Sequence, residues 1–208
     1  AFCASGIRSD AGGDEIYPYI LHNYIHHCRR TGNGYGVVVF TNSAALIEAN
    51  IINNCRHDVA ASGGPNCSYE IRYNIIGKDG THYMIDMHGD ANNVGGKRVK
   101  IHHNSFYGVT DYYGTIHIEG VPAEQAWIFN NRFVGADGVS IQQRPDVSGP
   151  DRYSNFINMS AMNNRYTPGE WGNADLNEEV DSWRSADFNG DGEYDLVRFV
   201  NNGASRDI

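Results

Sequence analysis

Two short stretches of this chain concentrate residues able to move protons or hold ions. MIDMHG (84–89) supplies Asp86 and His88, and TIHIEG (115–120) supplies His117 and Glu119. Both alternate apolar and polar residues, the period of a strand, so the polar members of each share a face. If the strands lie side by side, the four form a two-by-two patch. Spacing is then about 6.6 Å along a strand and about 4.8 Å across. The expected pairs are Asp86–His117 and His88–Glu119. A carboxylate beside an imidazole raises its pKa and selects its tautomer. In VSIQQR (139–144), Ser140 and Gln142 would fall beside His117 and Glu119, and Arg144 one outward step further on. Two chemistries follow. His88 or His117 can act as a general base on the proton α to a uronate carboxylate, with Arg144, Arg72 or Lys78 neutralising that carboxylate. Alternatively, two imidazoles and two carboxylates can hold a metal ion. A solvated strand face with cross-strand charge pairs uses the same residues without either chemistry. The run Arg56-His57-Asp58 leads into this face.

What brings such strands together is a repeat. LIEANIINNC (46–55) places Asn50 among apolar residues, and YILHNYIHHC, EIRYNIIGKD, KIHHNSFYGV and WIFNNRFVGA repeat the pattern without gaps. One column is Ile20, Ile47, Ile71, Ile101 and Ile128. The next is Asn23, Asn50, Asn74, Asn104 and Asn131. A third is Ile25, Ile52, Ile76, Phe106 and Phe133. A degenerate copy adds Asn164 and Tyr166. Asparagine spacings of 24 to 33 residues define a solenoid whose insertions are loops. No amphipathic helical stripe is present, so the repeat predicts an all-β, right-handed parallel β-helix of about six rungs. Stacked asparagines then form an internal ladder in which each amide satisfies its neighbour. A second strand per rung is expected to point Val37/Val39, Val59/Ala61, Ile85/Met87, Ile116/Ile118 and Val139/Ile141 inward. The opening FCASG resembles VAASG (59–63), which places the chain's start partway through a rung.

The 208 residues carry 16 Lys+Arg against 25 Asp+Glu, a balance that argues against a general nucleic-acid partner. No apolar run approaches the roughly 20 residues of a membrane span. Cys28 and Cys55 occupy one column of consecutive repeats, so a bridge between them, two stacked thiols, or a Cys55–Cys67 pairing are all open. Tyr69, Tyr73, Tyr83, Tyr107, Tyr112, Tyr113 and Trp127 are expected on the outside, where rings stack on sugars or simply serve a strand.

DFNGDGEYD (187–195) is different in kind. Asp187, Asn189, Asp191 and Asp195 fall at positions 1, 3, 5 and 9 of a calcium loop, with the Glu193 carbonyl at position 7. The bidentate Glu of an EF-hand is missing, and the strand-like LVRFV follows. Calcium is the expected cofactor, acting as a staple.

The Ile-x-x-Asn-x-Ile rungs over 19–166 resemble the right-handed parallel β-helix proteins of the pectate-lyase-like superfamily. RHDVAASGGPNCSYEIRYN and DMHGD are similar to secreted β-helix repeat proteins, and ADFNGDGEYDLVRF to the calcium loops of FG-GAP/VCBS repeats. The resemblance implies an extracellular or cell-surface setting and a polysaccharide partner. It transfers no catalytic set, because the calcium-binding Asp cluster and catalytic Arg motif of pectate lyases have no counterpart here. The expected organisation is a β-helix over 1–168 and a calcium-loop segment over 169–208. The expected function is action on, or binding of, an acidic glycan. The rival is a non-catalytic adhesive module assembling through its β-helix, as a homo-oligomer or larger surface array.

Overall fold

The computed structural model describes residues 4–10, 18–40, 42–77, 80–108, 114–134 and 141–167, and the backbone of two further strands at 183–186 and 195–198. The chain divides into two compact units, Ala1–Trp171 and Gly172–Ile208. The second contains an antiparallel pair, Trp183–Ala186 with Asp195–Arg198. Asp187, Asn189, Asp191 and Glu193 of the expected calcium loop lie outside the described residues, as does the side chain of Asp195.

The first unit is a parallel β-solenoid. Three sheets, each of six strands, receive the chain in turn. The first sheet contains Ser5–Ser9, Tyr35–Val39, His57–Ala61, Ile85–Met87, Ile116–Glu119 and Ile141–Arg144. The second contains the strands ending in Leu21, Glu48, Arg72, His102, Phe129 and Met162. The third contains those that follow each of them after a short bend. No helix occurs among the described residues, and none there is long and apolar enough to cross a membrane.

The columns of the repeat are vertical files. Ile20, Ile47, Ile71, Ile101 and Ile128 pair in register through the second sheet. Ile25, Ile52, Ile76, Phe106, Phe133 and Tyr166 pair through the third. Phe106, Phe133 and Tyr166 stack with centroids 4.9 and 5.1 Å apart.

Between these files runs the asparagine ladder. The Oδ1 of Asn50, Asn74, Asn104, Asn131 and Asn164 each accepts the backbone N–H of the preceding ladder residue at 2.9–3.1 Å. Each Nδ2 from Asn50 onward donates to the Ile carbonyl one rung back, as Asn74 does to Ile47 at 2.9 Å. The reason an amide is tolerated there lies one residue earlier. His22, Ala49, Tyr73, His103, Asn130 and Asn163 all have φ between +52° and +56°. A non-glycine residue enters that region only where its surroundings hold it. The bend exposes backbone groups to the interior, and the asparagine side chain satisfies them. Asn50, Asn74, Asn104 and Asn131 are fully buried, so the expected six rungs resolve into about four enclosed turns with a partly exposed turn at each side.

Several expectations are corrected. Ile116 pairs with Ile141, His117 with Gln142 and Glu119 with Arg144, two residues away from the expected register. A slip of two keeps every residue on its own face, so alternation alone cannot detect it. The inward place beside Ile118 goes to Gln143. Its amide donates to the Ile157 carbonyl and accepts from the Ile157 N–H, both at 2.8 Å, so its burial is compensated. At the start, the first strand is Ser5–Ser9, whose Ile7 and Ser9 pair with Val37 and Val39; Phe2 and Cys3 lie outside the described residues. Of the cysteine alternatives, the bridges are not formed: Cys28, Cys55 and Cys67 are buried and make no disulfide among the described residues. Tyr69 and Tyr83 are buried rather than exposed, because apolar contact outweighs what solvent offers a ring.

Gly36 shows how tightly the wall of the first sheet packs. A Cβ there would lie 2.5 Å from the Asp58 carbonyl oxygen and 2.9 Å from Ile52 Cγ2. Gly36→Ala should therefore destabilise the protein by about 1–3 kcal/mol in urea unfolding. An unchanged midpoint would contradict this packing.

Candidate functional site

The outward face of the first sheet carries the expected cluster, rearranged around one carboxylate. Asp86 stands beside His117 on the neighbouring strand and beside Ala60 on the other. The small alanine leaves room on that side. His117 Nδ1 donates to Asp86 Oδ1 at 2.9 Å, and His88 Nε2 lies 3.0 Å from Asp86 Oδ2. His57 enters from the strand on the far side of Asp86, its Nε2 3.5 Å from Asp86 Oδ2. Its Nδ1 lies 2.8 Å from the Tyr83 carbonyl, which can only accept, so that nitrogen carries the proton. Three imidazoles thus converge on one buried carboxylate.

The expected Asp86–His117 pair is present, but His88–Glu119 is not a direct contact. With the register moved by two, Glu119 meets Arg144 at 3.5 Å and receives the Gly89 N–H at 3.4 Å. His88 is left to Asp86. Arg144 is further held by Asp151, through Nε at 2.9 Å and the Nη2 donor at 3.2 Å. Asp151 Oδ1 lies 3.5 Å from His117 Nε2. Tyr83 stacks on His117 with centroids 4.2 Å apart. Asp151 and Tyr83 belong to loop segments with no repeat signal. Nothing in the spacing marks Asp151, and for Tyr83 the sequence predicts only a surface ring.

Of the other candidate cations, Arg72 belongs to the second sheet, where Glu48 and Glu70 bind it at 2.8 and 3.1 Å. Lys78 lies outside the described residues. Arg56 remains beside the cluster, 6.0 Å from the Tyr35 ring centroid, and makes no ion pair among the described residues. Its charge acts on His57, His82 and His88. Asp58 does not join the face. It is fully buried near Cys55, Cys28 and Arg29, and burial pushes its carboxyl well above the usual range.

The electrostatics separate the members. Burial alone would raise the Asp86 carboxyl. The hydrogen bonds of His117 and His88, with the charge of His88, override it and hold the group well below the carboxylate range. Burial likewise opposes charge on His88, yet the Asp86 hydrogen bond and charge, with Glu119, raise its pKa. Burial dominates at His57 and lowers its pKa to about 3. Burial also pushes Tyr83 up to about 12. Only His88 combines a raised pKa with a side chain a third exposed; those of His117 and Asp86 are almost wholly covered.

A consequence for stability follows from His57. An unfolded histidine titrates near 6.5 and this one near 3, so the unfolded chain takes up the proton first. The stability due to neutral His57 is complete above about pH 6.5 and is lost as pH falls toward about 3. The slope reaches on the order of 1.4 kcal/mol per pH unit. Asp86 adds acid sensitivity in the same direction at lower pH. His57→Gln should flatten the urea-unfolding profile between pH 6 and about 4. A profile parallel to the wild type would contradict the burial of a neutral imidazole.

The fold and site define this chain as a parallel β-solenoid protein with a buried carboxylate–imidazole cluster on one outer face. No family model matches it, and no curated protein or solved structure is significantly similar.

Proposed function

We propose that the chain acts on an acidic polysaccharide by β-elimination, at the face centred on Asp86. The observation that supports this is the state of His88: oriented by an ionised, buried Asp86, partly open to solvent, and within the field of the Arg56 guanidinium, which makes no ion pair among the described residues. With Nε2–H held by Asp86, His88 Nδ1 is the lone pair that takes the C5 proton of a uronate. Arg56 neutralises the uronate carboxylate and stabilises the charge that develops as this proton leaves. The C5–H electrons form the C4=C5 double bond. The glycosidic oxygen departs from C4 and takes a proton from water or from the protonated His88. His117, Asp151, Arg144 and Glu119 form a charge network behind Asp86 that fixes its orientation.

In this reading the protein is extracellular, belongs with pectate-lyase-like β-helices, and carries calcium at the 187–195 loop as a structural staple. The pairing of Arg144 and Arg72 with carboxylates favours the alternative, a surface module that binds glycan without cleaving it. Incubation with a panel of uronate polymers separates the two. Growth of the ultraviolet absorbance of an unsaturated uronate on at least one polymer is expected. Retention on an acidic glycan with no unsaturated product on any would favour the binding module.

A further inference from the structure

We propose that His57, Asp86 and His88 form a site for one divalent transition-metal ion of the zinc type. Three ligand atoms converge: one imidazole nitrogen each of His57 and His88 and an Asp86 oxygen all lie within 4.8 Å of one another. Asp86 Oδ2 is 3.0 Å from His88 Nε2 and 3.5 Å from His57 Nε2. Ligands about 2.1 Å from a shared ion stand roughly 3.0–3.4 Å apart at octahedral or tetrahedral angles. The two Asp86 distances already match that range, and the two imidazoles, within 4.8 Å of each other, close on the ion by side-chain rotation.

His57 gives the second, independent observation. It has no solvent exposure, and its Nε2 is buried without a hydrogen-bond partner. Since Nδ1 carries the proton toward the Tyr83 carbonyl, Nε2 presents a lone pair, and it presents it to a carboxylate oxygen. Two electron-rich atoms facing each other in a dry interior are favourable only with a cation between them. The 3.5 Å separation, with no hydrogen bond between the two, falls close to the spacing of two ligands on one cation.

The surroundings are those of a metal site. The Tyr83 carbonyl fixes the tautomer and ring direction of His57. The His117 N–H holds the other oxygen of Asp86, leaving Oδ2 for the ion. His88, a third exposed, provides the way in and a side open to solvent for a further ligand. Two imidazoles and one carboxylate select zinc, iron, cobalt or nickel over calcium and magnesium. His117 and Glu119, part of the four-residue metal reading of the sequence, are not in the set. His117 orients Asp86, and Glu119 is taken by Arg144.

The site stands whether or not the face is catalytic. Loading it requires His88 to release its Nε2 proton. A metal-bound His88 then cannot hold that proton toward Asp86, so ion binding and the proton-transfer role proposed above exclude each other.

The test is cobalt(II) titration of the full chain in excess calcium, which occupies hard oxygen sites, followed by visible absorption and by zinc displacement. One equivalent with nitrogen-ligand bands is expected. His57→Ala and His88→Ala should each weaken binding at least about tenfold. His102→Ala, on the second sheet against Glu70, should leave it unchanged. Circular dichroism checks that each variant is folded, and His57→Gln replaces His57→Ala if it is not. No binding by the wild type, or equal binding by a folded His57 variant, overturns the site. A uronate assay on the zinc-loaded protein separates the two proposals. Lost product with intact cobalt binding supports both. Product that requires the metal supports the site and removes His88 as the base.

Discussion

Asn74→Ala should destabilise the solenoid by about 3–5 kcal/mol, well beyond the usual effect of a polar-to-alanine change. The wild-type Oδ1 accepts both the backbone N–H and the Nδ2 of Asn50, at 2.9 and 3.0 Å. Its own Nδ2 donates to the Ile47 and Arg72 carbonyls at 2.9 and 2.8 Å and reaches Asn104 Oδ1 at 3.0 Å. Truncation removes these partners, and the Asn50 N–H loses its acceptor in the interior, at about 1–3 kcal/mol for each buried group left unsatisfied, while the Arg72 carbonyl keeps the Ala49 N–H at 3.2 Å. It also releases the clamp on Tyr73, which is held at φ +54°. Asn23 stands in the same file but is partly exposed, so water replaces much of what it provides. Asn23→Ala should cost only about 1 kcal/mol. Urea unfolding of the two variants measures the contrast. Equal losses would mean that the ladder is not a cooperative interior element. Asn74→Asp sharpens the comparison, because it keeps the acceptor, removes the donor and buries a charge.

The second large effect concerns chemistry. On whichever uronate polymer is cleaved, His88→Ala should lower kcat by about 10²–10⁴, the range for loss of a positioned base. Asp86→Asn should do more than slow the reaction. The base must be unprotonated, so activity rises with pH through the raised His88 pKa. Asparagine cannot supply the charge that raises that pKa, and the rising limb should therefore move toward lower pH. A merely structural Asp86 would reduce the amount of active protein without moving the limb. The pH dependence of kcat/KM in wild type and Asp86→Asn distinguishes these outcomes.

The legible part of the molecule was the part written in columns. Ile47, Asn50 and Ile52 recur at fixed offsets, so their stacking and the ladder could be read without knowing any loop. The pairing of Asp86 with His117 followed, because both strands carry the same inward apolar frame. Other features fell outside that logic for definite reasons. Gln143 takes an inward place because Ile157 satisfies its amide, a long-range contact with no local signature. With Gln143 in that place, Arg144 stands beside Glu119, and the close partner of His88 is Asp86. His57 was visible only as a neighbour of the face, since its role depends on a Tyr83 carbonyl one rung away. Asp151 comes from an irregular loop whose sequence says nothing of where it folds back. The repeat therefore fixes the wall of the site, whereas side-chain choices across rungs decide which residues meet.

The convergence of three imidazoles on Asp86 is most directly measured by long-range proton–nitrogen NMR of the histidines in metal-free protein across pH 5 to about 8, the window of an imidazole. His57 should stay neutral throughout, with its proton on Nδ1, while His88 keeps a proton on Nε2 and gains its second at a pH above the usual histidine value. Were His57 and His88 to titrate together as free imidazoles, with the proton exchanging between both nitrogens, the buried cluster and the site built on it would not exist.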